Sequence, residues 1–141
     1  MLPKIKSTEL LYRMNRDGAS CEIFHERCDD KGATLVLVST NDGHIFGGYN
    51  PTSWLNSFSY SDCEDAFLIS FRDSTGKRKP FKCPVKNGKS EFAIKQNEIK
   101  FSPGFGEANN CDLFISFKNP SKSYSRLGTV YQLPIEYARL G

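Results

Sequence analysis

The sequence predicts an α+β, β-rich fold: a two-sheet antiparallel β-sandwich flanked by short N-terminal helices. Two observations carry that expectation. From Thr34 onward, short β-branched and aromatic runs recur with turn signals every eight to twelve residues. Ahead of them lies a stretch whose apolar residues fall on one side of a helix. A chain of 141 residues fits a single domain, 1–141. Its 38% hydrophobic content supplies a core, and no run of eighteen apolar residues is present to form a membrane-spanning helix.

The front end reads as helical. Ser7-Thr8-Glu9 opens a short segment through Leu10-Leu11-Tyr12 that stops in the turn sequence Asn15-Arg16-Asp17-Gly18. Ser20 then caps a second helix, with Glu22 in the first turn where the helix dipole favours an anion. Ile23, Phe24, Arg27 and Cys28 gather around one side, and Lys31-Gly32 is expected to close the helix.

Thr34-Leu35-Val36-Leu37-Val38-Ser39-Thr40 is apolar on both parities and predicts a strand covered on both faces. Asn41-Asp42-Gly43-His44 makes a hairpin turn into Ile45-Phe46-Gly47-Gly48-Tyr49, where two glycines predict a bulge or a close backbone approach. A polar loop, Asn50 to Ser61, holds Trp54, Phe58 and Tyr60 and is long for a mere connection. Ala66 to Arg72 is the next strand, apolar on both faces. The turn Asp73-Ser74-Thr75-Gly76-Lys77 leads into Pro80 to Val85, which two prolines demote to an edge. Asn87-Gly88 turns into strands at Glu91 to Lys95 and Ile99 to Phe101. Pro103-Gly104-Phe105-Gly106 is expected to break the chain before a third apolar strand, Asp112 to Lys118, and Val130 to Leu133 forms a last short one.

The net charge of +3 is too small to announce a nucleic-acid binder, and no nucleic acid is expected as a partner. The charge is, however, unevenly spread. Nine Lys/Arg face three acidic residues between Arg72 and Lys100, which makes this flank basic against a mildly acidic remainder. Such a flank suits an acidic partner surface, with Lys77, Arg78, Lys79 and Lys82 as its candidate binding residues; the plainer reading is lysines that keep hairpins soluble and blunt edge strands. Met1 to Lys6 has charge but no apolar core of a secretory signal. Five cysteines, an odd number at unpaired spacings, read as reduced thiols of a cytoplasmic domain.

Cys21, His25 and Cys28 stand at i, i+4 and i+7, so one helical stripe could offer zinc two sulfurs and a nitrogen, with Cys63, Cys83, Cys111 or His44 as fourth ligand. The chain lacks paired Cys-x-x-Cys knuckles, and a core-facing helix with a hydrogen-bonded His25 is the favoured reading. A Cys–His nucleophile pair would need an open electropositive site and a third orienting group. Asp62, Glu64 and Asp65 cluster before a strand, where solvated carboxylates are the ordinary outcome. Neither Phe46-Gly47-Gly48-Tyr49 nor Pro103-Gly104-Phe105-Gly106 has the strand–turn–helix context of a phosphate loop.

Several short motifs occur in a fixed order. They are Leu10-Leu11-Tyr12-Arg13, Arg16-Asp17-Gly18, Phe24-His25, Cys28-Asp29-x-Lys31-Gly32-x-Thr34-Leu35, and Phe46-Gly47-Gly48-Tyr49 with Trp54. Then come Tyr60-x-Asp62 before Ala66-Phe67-Leu68, Phe105-Gly106, Asp112-Leu113-x-Ile115 and Tyr131-x-Leu133-Pro134. The series resembles a TLD (TLDc) domain, the module of the eukaryotic oxidation-resistance proteins, from about Leu10 to Pro134.

That resemblance implies a two-sheet sandwich flanked by helices, with no established active site and no cofactor. It implies structural roles for Arg13, Asp17, Gly18, Phe24, His25, Cys28, Asp29, Gly32, Gly47, Gly48, Tyr49, Trp54 and Asp62. Arg13 and Asp17 would be polar anchors of one corner, and Gly47 and Gly48 would let the second strand pass close to the helix carrying His25. It further implies a non-enzymatic protein-interaction module whose partner would be subunits of the vacuolar-type proton ATPase on endolysosomal membranes, linked to oxidative-stress resistance. The alternatives are a cysteine-based redox-reactive or hydrolase-like protein, and a zinc-binding module. TLD domains usually continue past the Tyr-x-Leu-Pro motif into another strand, so the ending at Ala138-Arg139-Leu140-Gly141 carries the expectation of a missing strand and an open sheet edge or core face.

Overall fold

The computed structural model describes residues 4–55, 57, 59–72, 75, 77–78, 80–96, 103–107 and 110–134. Phe58, the expected strand at Ile99 to Phe101, Lys79, most of the turn at 73–76 and the C-terminal segment from 135 lie outside these residues. Two helices come first, α1 (Met14–Asp17) and α2 (Cys21–Cys28). Among the described residues nine strands then form two antiparallel sheets. β1 (Thr34–Ser39), β2 (Ile45–Asn50), β4 (Phe67–Arg72) and β5 (Phe81–Pro84) make the first, in the order β1-β2-β4-β5. β3 (Tyr60–Ser61), β6 (Ile94–Lys95), β7 (Gly104–Glu107), β8 (Asn110–Phe114) and β9 (Tyr124–Ser125) make the second, in the order β3-β6-β7-β8-β9. The β-rich, sandwich-like architecture predicted from the sequence is the one observed.

Strand alternation explains how the sheets meet. Val36, Gly48, Leu68 and Cys83 align across the first sheet, and Ile94, Phe105 and Leu113 align across the second. Both rows turn toward the shared core. A Cβ on Gly48 would lie 2.5 Å from the Phe105 ring, so only a glycine lets that ring seat between the sheets. Burying such a phenylalanine stabilises the fold by about 2–3 kcal/mol. On Gly47 a Cβ would meet the Val36 carbonyl oxygen of the neighbouring strand. The glycine pair therefore accommodates β7 and β1, and not the helix of His25 as expected.

Several elements depart from the sequence reading. The first helix begins a turn late, after an extended Arg13, because the Asp17 carboxylate accepts the Arg13 backbone N–H at 2.8 Å and Gly18 leaves the helix at φ +101°. Helix α2 is capped by Ser20 as predicted, its Oγ accepting from Ile23 N–H. It stops at Cys28, short of Lys31-Gly32, because Asp29 bridges to Trp54 and Asp30 N–H donates to the Trp54 carbonyl. Strand β1 is covered on one face only: Leu37 is 57% exposed at the sheet edge.

Pro103 to Gly106 is no break. Gly104–Glu107 is the middle strand of the second sheet, and Gly106, at φ +110°, leaves no room for a Cβ beside the Asp112 backbone N of β8. Glu91 to Phe92 lies in a 3-10 turn, Ser90–Phe92, with only Ile94–Lys95 as strand. The third apolar strand ends at Phe114, Tyr124–Ser125 adds the short strand β9, and the expected final strand reduces to a single bridge between Val85 and Tyr131. The edge position of β5 agrees with its prolines.

Candidate interaction site

Hydrogen bonds tie the motif residues of the N-terminal corner together. Tyr12 donates its hydroxyl to the Gly18 carbonyl at 2.6 Å and closes the chain around α1. Asp17, its side chain 5% exposed, also accepts from Arg16 Nε and Nη2 at 2.8 Å, with Arg27 at 3.8 Å. The Arg16 bonds and the Arg13 N–H together hold the Asp17 carboxyl at about 2, well below the ordinary aspartate value. Arg13 itself is exposed and contributes its backbone. His25 is buried, with Nδ1 2.8 Å from Asp29 Oδ1, while Nε2 has no hydrogen-bond partner among the described residues. Gly32, at φ +77°, donates its N–H to Ser53 Oγ.

From this corner a series of ring contacts runs through the core. Tyr12 meets Phe24 at 5.6 Å, Phe24 meets Trp54 at 5.7 Å, Trp54 meets Phe105 at 5.7 Å, and Phe105 meets Tyr131 at 6.4 Å. Edge-to-face geometry at each step makes these pairs worth about 1 kcal/mol beyond area alone. Trp54, a loop residue, is anchored by its Nε1–H to Thr34 Oγ1 at 2.8 Å, and Tyr131 donates its hydroxyl to the Ala93 carbonyl.

Two buried polar residues carry parts the sequence reading did not assign. Asp112 is fully buried; Oδ2 accepts the N–H groups of Gly128, Thr129 and Tyr131, and Oδ1 that of Val130, all at 3.0–3.1 Å. One carboxylate thus replaces a missing strand partner for the turn that ends in Tyr131-x-Leu133-Pro134. Gln96, also fully buried, accepts from Leu55 N–H and donates to the Ser53 carbonyl and Ser61 Oγ, pinning the loop around Trp54. A lone Asp opening an apolar strand was the available signal for the first; Gln96 had none.

Four of the thiols are poor candidates for chemistry. Burial pushes Cys28 and Cys83 up to about 11, and Cys63 and Cys111 upward as well. All five cysteines are free of disulfides. Cys21, His25 and Cys28 are not brought into a ligand set: among the described residues no three His, Cys, Asp or Glu side chains are arranged to hold a metal ion. His25 Nδ1 engages Asp29 and Cys28 packs in the core, so this geometry gives the zinc reading no support. Asp62, Glu64 and Asp65 are exposed.

Exposed cations mark the other end of the first sheet. Lys77, Arg78 and Lys82 are exposed; Lys79 lies outside the described residues. Lys82 Nζ stands 4.2 Å above the Phe67 ring, which in turn packs on Tyr49 at 5.0 Å. Lys86 leaves the flank and donates Nζ to the Gly128 carbonyl. No helix among the described residues is long and apolar enough to cross a membrane.

No curated protein sequence matches the chain significantly. The family model of the TLDc domain matches residues 1–135. The order of the motifs, the sandwich and the burial of Phe24, His25, Cys28 and Trp54 agree with that match, and this chain belongs to the TLDc-domain family.

Proposed function

We propose that this TLDc domain is a non-enzymatic protein-interaction module that docks through the basic flank of its first sheet. The observation that supports this reading is the division of labour among polar residues. Motif polar groups such as Asp17, His25 and Asp29 bond one another or the backbone inside one corner, whereas Lys77, Arg78 and Lys82 stand at the surface. Exposed cations on a rigid sheet steer a complementary acidic surface and set its register. By the family resemblance the partner would be subunits of the vacuolar-type proton ATPase. The domain would then act in the cytoplasm and at endolysosomal membranes, in oxidative-stress resistance. A redox role for Cys28, Cys63, Cys83 and Cys111 is disfavoured, because burial raises these thiols and leaves little thiolate near neutral pH.

The test is affinity purification with the intact chain and with a variant in which Lys77, Arg78, Lys79 and Lys82 are changed to Gln. Loss of proton-pump subunits from the variant at unchanged thermal stability supports the reading. Equal recovery with both chains, or none with either at low salt, contradicts it.

A further inference from the structure

The four sheet edges of the described structure are not equally protected. Edges β3 and β9 are two residues long. Edge β5 carries Lys82 and Pro84, follows Pro80, and is partly covered because Gln132 N–H bonds the Pro84 carbonyl and Tyr131 bridges Val85. Edge β1 has none of these devices. Its sequence Thr34-Leu35-Val36-Leu37-Val38-Ser39 has no charge, no proline and no bulge against β2. A long, uncharged, apolar edge is a template for another strand.

The hairpin fixes which groups that edge offers. Thr40 N–H donates to the His44 carbonyl, so antiparallel alternation directs the backbone groups of Val38, Val36 and Thr34 to β2. The N–H and C=O groups of Leu35, Leu37 and Ser39 therefore point away from the sheet. Side chains of the same residues lie on the face turned from the core: Leu35 is 37% and Leu37 57% exposed.

We infer that β1 pairs with β1 of a second copy of this chain, antiparallel about a two-fold axis at Leu37. In that register Leu37 faces Leu37 of the second copy and Leu35 faces Ser39, so every outward backbone group finds a partner and leucine packs on leucine. Self-pairing is favoured over a foreign strand because β1 bears no charged side chain with which to select one. Charge also permits it. Lys82 of the flank sits on β5, three strand spacings or about 14 Å from β1, beyond a Debye length at physiological salt. The product is one continuous eight-stranded sheet with β5 and its Lys82 at each outer edge. Pairing does not depend on the docking reading, and its test does not measure docking.

Sedimentation of the full chain from low to high micromolar concentration, together with amide hydrogen exchange, tests the inference. We expect a reversible monomer–dimer equilibrium, with the Leu35, Leu37 and Ser39 amides protected only at concentrations where dimer is populated. Leu37→Lys, at an exposed position, raises the dimer dissociation constant about tenfold or more, and Leu10→Lys, exposed outside β1, leaves it unchanged. A chain that stays monomeric throughout overturns the inference. So does a dimer that survives Leu37→Lys, one that forms without protecting the Leu37 amide, or a monomer whose β1 is occupied only by an added foreign strand peptide.

Discussion

Asp112 and Lys82 each bring one charge to the sandwich under opposite conditions. The carboxylate is fully buried and takes four backbone N–H groups from the 128–131 turn, whereas the ammonium stands over the Phe67 ring at an exposed edge. Removing the first strands several donors in a dry interior; removing the second returns one side chain to water. The difference separates a carboxylate that holds several backbone groups in the interior from an ammonium exposed at a sheet edge, as Asp17 in the motif corner differs from the exposed Lys77 and Arg78.

Asp112→Ala makes the largest expected break. With four N–H groups left without an acceptor, stability falls by at least about 4 kcal/mol, read as loss of a cooperative urea transition. Next comes Gly48→Ala, which pushes a methyl into the Phe105 ring and costs about 2 kcal/mol. Phe105→Leu in the same chain should recover part of that loss, and a double-mutant cycle measures the coupling. Cys28 and Cys83, raised to about 11, hold about a thousandth of their thiol as thiolate at pH 8. Alkylation of these two should therefore be slow in the folded chain and fast in denaturant.

Asp17 supplies a pH signature. Its folded value near 2 lies below the ordinary aspartate value of 3.8, so its contribution is present above about pH 4 and is lost as pH falls toward 2. Asp17→Asn should flatten the acid side of the stability profile in that window and leave the slope above pH 5 unchanged, as followed by thermal melts across pH. Smallest in stability is the flank itself: changing Lys77, Arg78, Lys79 and Lys82 to Gln should shift unfolding by less than about 0.5 kcal/mol.

Local chemistry made much of the fold legible. The Ser20 cap, the Gly43 hairpin, the proline-marked edge β5 and the doubly buried centre of β4 all follow from nearest-neighbour rules. The errors have a common cause, which is that tertiary contacts overrode local signals. Gly106 reads as a breaker because its reason, the close approach of Asp112 on β8, involves a residue not adjacent in sequence. Thr34 to Ser39 looks the same whether central or at an edge, since its composition does not record how many neighbours it has. Asp112 and Gln96 act on chain segments 16 to 19 and 35 to 43 residues away, beyond any periodicity. The basic flank was visible as a charge count, although its separation from the bonded corner required the structure.

The claim that surface cations, and not the motif corner, carry the interaction is tested most directly by quantitative affinity purification from cytosolic extract at low salt, comparing the parent chain with the four-residue Gln variant and with Asp17→Asn. Proton-pump subunits are expected to disappear with the Gln variant and to remain with Asp17→Asn. Retention by the Gln variant, or loss confined to Asp17→Asn while that chain remains folded, would contradict it.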